Sequence, residues 1–216
     1  MAMPLATHRF TVDEYHRMAE AGILHEDDRV ELLDGQIVQM TPIGLRHAAS
    51  VTGLTELLAP LASGQATLRI QNPLTLFEDQ EPQPDVALVR YRADRYRTGH
   101  PRAADTLLVI EVADTSVESD RQRKIPLYAR AGIPEAWLVN LPEDAIEIYR
   151  EPTAGAYTTL RTAGGLEPQF SDPRRNRMVR SSGPRPPSLT SAGRAPGYPW
   201  QRHRRRRALA SGSRTG

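Results

Sequence analysis

The sequence predicts an α/β domain: a mixed β-sheet flanked by helices and preceded by an N-terminal helix and a β-hairpin. Three observations carry this. TLLVIEVA at 106–113 is a nearly unbroken apolar run, the mark of a central strand buried on both faces. Short strand-like runs alternate with two stretches of helical periodicity, 45–63 and 119–132, a pattern of mixed α and β elements around one core. Asp34-Gly35 lies between RVELL (29–33) and QIVQM (36–40), a strong hairpin signal.

The elements follow in order. Thr11 reads as a helix N-cap with Glu14 completing a capping box, so TVDEYHRMAEAG should be a helix ending near Gly22. After the hairpin, LRHAASVTGLTELLAPLAS (45–63) spaces apolar residues three and four apart, although Gly53 and Pro60 weaken the pattern. Strands are expected at TLRIQ (67–71), LTLF (74–77) and PDVALVR (84–90), the last opening on a proline that a strand tolerates at its first residue. SDRQRKIPLYARAG (119–132) reads as a helix closed by Gly132, with Pro126 setting its start or a kink. AWLVN (136–140) and AIEIYR (145–150) should pair, with YTTLRT (157–162) as an edge strand.

Charge divides the chain. Residues 1–172 hold all 26 acids and 16 of the 28 basic residues, whereas 173–216 hold the other 12 bases, all arginine, and no acid. The first part is read as one domain of ordinary size. The second is rich in Arg, Pro, Gly and Ser and is expected to be a disordered tail, because it cannot bury enough apolar surface to offset the entropy of ordering. RHRRRR at 202–207 could hold phosphates electrostatically. The abrupt change also fits an altered reading frame at the end of the gene, which resequencing the 3′ end would test. The chain has no cysteine, which excludes disulfides and thiolate zinc sites. The N-terminus lacks a secretory pattern and no run of about 18 apolar residues occurs. A cytoplasmic protein is therefore expected.

Four residues are the candidates for chemistry. Glu111 interrupts an otherwise apolar strand, and a buried carboxylate needs a cation or hydrogen-bond donors. It is either half of a structural ion pair or a metal ligand. Asp85 follows Pro84 at the head of DVALV, where an Asp is commonly a turn residue. If its strand neighbours that of Glu111, two carboxylates converge, and hard oxygen ligands suit Mg²⁺ or Mn²⁺. Lys124 is the only lysine beside 27 arginines. A compact ammonium differs from a guanidinium in hydration and in the ease with which its pKa shifts, so contact with a phosphate or an attacking water is one reading and chance survival the other. Glu31 lies in a hairpin arm, where it could complete a metal shell or simply face solvent. His47 is a weaker candidate for the same cleft. Asp120 is expected to cap the helix that carries Lys124.

The order acid, Pro-Asp, core-strand Glu, Lys resembles that of the Uma-type family of restriction endonucleases within the PD-(D/E)xK nuclease superfamily. The matching stretches are FTVDEYHRM, RVELLDGQIVQMTPIGLRH, PQPDVALV, LLVIEVADTSVESDRQRKIPLYARAGIPEAWLVN and IEIYREP, from residue 9 to about 152. The resemblance implies a restriction-endonuclease-like core, with Asp85 and Glu111 as metal ligands and Glu31 as an acid near the hairpin. The superfamily usually places its lysine two residues after the second acid, where Ala113 stands; the Uma-type pattern places it on the following helix, at Lys124. The expected function is Mg²⁺- or Mn²⁺-dependent hydrolysis of DNA phosphodiester bonds by Glu31, Asp85, Glu111 and Lys124, with the Val112 carbonyl as a third metal ligand. A homodimer is one assembly open to it. The alternatives are a catalytically silent nucleic-acid-binding or accessory module that keeps the nuclease fold, and a gene remnant.

Overall fold

The computed structural model describes residues 7–25 and 27–164. The expectations for the basic tail, 173–216, fall outside these residues.

Helix α1 spans Val12–Glu20 and begins on the expected capping box. The Thr11 hydroxyl accepts from the Glu14 amide, and the Glu14 carboxylate accepts from the Thr11 amide. Both donors would otherwise be orphaned at the start of the chain's first turn. Strands β1 (Val30–Leu33) and β2 (Gln36–Gln39) pair antiparallel with Leu33 opposite Gln36. That register leaves Asp34 and Gly35 as a two-residue loop, both left-handed at φ 51° and 65°, as a type I′ turn requires. Gly35 is needed for space as well: a Cβ there would stand 2.6 Å from the Arg9 Cβ.

Helix α2 (Leu45–Ala62) buries Val51, Leu54, Leu58 and Ala62 at helical spacing. It packs along β3 (Ala66–Ile70), β4 (Val86–Arg90) and β5 (Thr106–Ala113). Strands β6 (Glu135–Asn140), β7 (Ala145–Thr153) and β8 (Ala156–Gly164) complete a six-stranded sheet in sequence order, β3 to β8. Only the β5–β6 pair is parallel, so these two strands need a crossover. The helical segment carrying Lys124 provides it. Its residues Ile125 and Tyr128 join Val109, Ala113, Ala136 and Leu138 in one buried cluster. Among the described residues, no helix is long and apolar enough to cross a membrane.

Two elements differ from expectation. LTLF (74–77) adds no strand to the sheet. It folds back on its own continuation, with the Leu74 amide donating to the Pro82 carbonyl and the Leu76 amide to that of Gln80, both at 3.0 Å. Local closure satisfies these backbone groups, and the returning Glu81 pairs with Leu32 of β1 instead. The crossover is also not one regular α-helix. A short turn, α3 (Val117–Ser119), widens into a π-helical stretch at Asp120–Lys124 before α4 (Ile125–Arg130). Pro126 supplies the reason, since its ring lacks an N–H and clashes with a regular preceding turn. Helix α4 ends as expected at Gly132 (φ 74°), with the Gly132 amide on the Ala129 carbonyl and the Ile133 amide on that of Tyr128, a Schellman cap.

Candidate active site

Strand β5 is the central support. Residues alternate across a strand, so Glu111 shares its face with Val109 and Ala113, which pack against Ile125 and Tyr128 of the crossover. Glu111 therefore points from the sheet into the helix above it. Lys124 and Tyr128 stand one helical turn apart and both reach it: the Lys124 ammonium lies 3.4 Å from Glu111 Oε2, and the Tyr128 hydroxyl donates to Oε1.

Asp85 is placed by the end of a ladder. The β4–β5 pairing stops at Val86 opposite Ile110. The next inward amide, that of Val112, donates to Asp85 Oδ2 at 2.9 Å. The other oxygen receives Gln71 Nε2 at 3.2 Å and lies 3.0 Å from His47 Nε2. Gln71 itself is left-handed (φ 50°) just after β3, which ends the strand and turns its amide toward Asp85.

Glu31 enters from the hairpin. Its Oε1 lies 3.1 Å from the Lys124 ammonium, and its Oε2 accepts from the Gln83 backbone amide at 3.0 Å. Lys124 is thus shared between Glu31 and Glu111. All four residues named from the sequence line one cavity, together with His47, Asp114, Asp120, Arg29 and Arg123. Each of the four is less than a tenth exposed.

The electrostatics are uneven. Burial pushes the Glu111 carboxyl well above its ordinary range, and the nearby Lys124 offsets this only in part. Asp120 is raised for the same first reason, burial. Burial also works against charge on Lys124, but Glu111, Glu31 and Asp120 overcome it and hold the ammonium charged. At Asp85 burial is outweighed by the His47 contact and the Val112 amide, so its pKa falls. His47 rises, chiefly through that same hydrogen bond.

Asp120 does not cap the helix. It sits inside the widened turn, buried, with the Ser116 hydroxyl donating to Oδ2 at 2.6 Å. The π-helical stretch brings Asp120 and Lys124, both buried, to the same cavity. Tyr128, Gln71 and Gln83 also escaped the sequence reading. Tyr128 carried a usable signal, standing four residues after Lys124 in a helical pattern; the glutamines carried none.

The chain matches a family model described as "Uma2: Putative restriction endonuclease" over residues 12–173. Its fold is similar to a crystal structure described as a "putative nuclease belonging to DUF820" from Anabaena variabilis, with a TM-score of 0.56 and 18% identity, covering 71% of this chain and 83% of that one. At that identity the likeness concerns the fold. No curated protein matches the chain. The family match takes in β1, the Pro84-Asp85 step, β5 and the whole crossover, well over half of the sequence, and the chain belongs to the Uma2 family.

Proposed function

We propose that this chain is a metal-dependent endonuclease that hydrolyses DNA phosphodiester bonds in the cavity where Glu31, Asp85 and Glu111 surround Lys124. The observation that carries the reading is Glu111: a fully buried carboxyl, raised by burial, that shares its one close ammonium with Glu31. The donor set fits Mg²⁺ or Mn²⁺, since three carboxylates from separate elements offer hard oxygens. Such an ion, when bound, supplies Lewis-acid polarisation of the scissile phosphate and lowers the pKa of the attacking water.

The chain's own residues would do the rest. Asp85 and Glu111 hold the cation, and Glu31 completes the carboxylate set. The Val112 amide and Gln71 fix the Asp85 carboxylate in place. Lys124 orients water and stabilises negative charge as the new P–O bond forms and the P–O bond to the leaving sugar breaks. Arg29 and Arg123, on the cavity wall, meet the flanking backbone phosphates.

Cleavage of duplex and single-stranded DNA with and without Mg²⁺ tests this. Asp85→Ala and Lys124→Ala should each lower the rate by at least about 10²-fold, the loss typical of one preorganised electrostatic group. Equal rates in wild type and both variants would assign the cleavage to a contaminant and end the proposal.

One observation favours a second reading. Lys124 already pairs with both Glu31 and Glu111, as it would in a silent module that keeps the fold for nucleic-acid binding. Calorimetric Mn²⁺ binding that disappears in Glu111→Ala supports the enzyme. DNA binding that is indifferent to metal supports the module.

A further inference from the structure

A second group of ligating side chains lies away from this cavity. His16 on α1, Glu81 between β3 and β4, and His100 between β4 and β5 bring one ligand atom each to within 4.8 Å of one another. We propose that His16, Glu81 and His100 form a binding site for one late first-row divalent ion of the Zn²⁺ type, which ties α1 and the segment before β5 to the approach to Asp85. The proposal stands apart from the nuclease reading and uses none of its residues.

Glu81 is the fixed member. Its side chain is 2% exposed, and its backbone bonds Leu32 of β1 in both directions, at 2.8 and 3.3 Å. The Thr75 hydroxyl donates to Oε2 at 2.8 Å, which leaves the other oxygen to His16. Metal-ligating carboxylates are commonly held by such an outer hydrogen bond. Oε1 then meets His16 Nε2 at 2.7 Å. The His100 ring stands 6.1 Å from that of His16, edge-on at 70°.

An isolated surface ion pair would need only one of these imidazoles. Two of them converging on a buried, braced carboxylate make a two-His, one-carboxylate set with open positions, which suits Zn²⁺ and its neighbours, whereas Mg²⁺ prefers oxygen donors and water. Around a tetrahedral ion with bonds of 2.0–2.2 Å, ligand atoms stand about 3.3 Å apart. The largest present separation must therefore close by about 1.5 Å, which rotation of the solvent-facing His100 side chain can supply. On binding, each imidazole offers the lone pair of one ring nitrogen and keeps a proton on the other, so the His16–Glu81 hydrogen bond is exchanged for two bonds to the ion. Three segments distant in sequence become cross-linked, so binding stabilises the fold by mass action.

The test uses full-length, metal-stripped protein titrated with Zn²⁺ by calorimetry, with the melting temperature followed in parallel. Wild type should bind one Zn²⁺ through this site and melt higher with it. His16→Ala with His100→Ala should weaken that binding by well over tenfold. Thr75→Val, which leaves all three ligands in place, should weaken it by about tenfold. Asp85→Ala with Glu111→Ala should leave it unchanged, and millimolar Mg²⁺ should not compete. Co²⁺ in place of Zn²⁺ should show visible d–d bands that vanish in the double histidine variant. If that variant melts abnormally in chelator, the single His16→Gln and His100→Gln variants replace it. Absence of saturable Zn²⁺ binding in wild type, or binding unchanged by loss of the histidines, overturns the proposal.

Discussion

Glu111 in β5 and Glu147 in β7 each interrupt an apolar strand, and the same helical segment answers both. Glu111 in β5 meets Lys124; Glu147 in β7 meets Arg121, three residues earlier. Their environments are opposite. Glu147 accepts from Arg121 Nε at 3.2 Å and Nη2 at 2.5 Å, from the Tyr149 hydroxyl at 2.5 Å and from Asn140 at 3.5 Å. Burial alone would raise its pKa, but these donors, Arg121 first, bring it below the ordinary value. Glu111 has the Tyr128 hydroxyl and a share of one ammonium, and its pKa rises. One carboxylate is balanced by a forked guanidinium at the protein's edge. The other is left short of positive charge in the interior, where shortage is costly. A balanced pair holds structure together, while an unbalanced one is where a cation or a phosphate-bound ion has something to gain.

That contrast can be broken from the Glu111 side first. Lys124→Met should leave Glu31 and Glu111 buried without their common cation and cost about 3–5 kcal/mol, read as a lower urea midpoint at pH 7 in chelator. A loss below about 1 kcal/mol would mean the ammonium is solvated and the two regions are alike. Tyr128→Phe should cost about 1–3 kcal/mol, the penalty for removing a donor from a buried acceptor. Unchanged stability would show that the hydroxyl is not needed by Glu111.

On the Glu147 side the effects are smaller because Arg121 is about a third exposed, at 35%, and solvent screens the pair. Glu147→Gln should cost about 1 kcal/mol at pH 7. Its pH dependence has a definite sign. The folded pKa lies below the unfolded value near 4.5, so the contribution is fully present above that value and fades as pH falls through the folded pKa. The difference in stability between wild type and Glu147→Gln should therefore shrink on acidification, and a difference that grows would reverse the assignment. Arg121→Lys should have the least effect, a few tenths of a kcal/mol, because it keeps the charge and loses the fork.

Much of the fold was legible because its signals are local. The capping box at Thr11 and Glu14, the Asp34-Gly35 turn, the Gly132 cap and the apolar run of β5 each follow from the chemistry of a few adjacent residues. LTLF failed because strand propensity says nothing about which partner takes the backbone groups, and here its own return at Gln80 and Pro82, with the Pro101 carbonyl for Thr75, took them. Asp120 failed because Pro126, six residues on, widens the turn and carries the carboxylate into the cavity rather than to a helix end.

The site divides in the same way. Glu111, Asp85 and Lys124 could be named as candidates from an acid in an apolar strand, an acid at a strand head and a single lysine among arginines. By sequence, though, Glu147 in AIEIYR is as conspicuous as Glu111 in LLVIEVA. What separates them is the number of donors that chain segments remote in sequence deliver to each carboxylate. The sequence by itself determined most of the elements, the order of the acids and the family. Only the tertiary structure decided which acids share one cavity, that Lys124 bridges two of them, and that Tyr128, Gln71 and Gln83 attend them. Elements form from short-range backbone and side-chain preferences, whereas the charge state of a buried carboxylate depends on every group within a few ångströms, whatever its place in the chain.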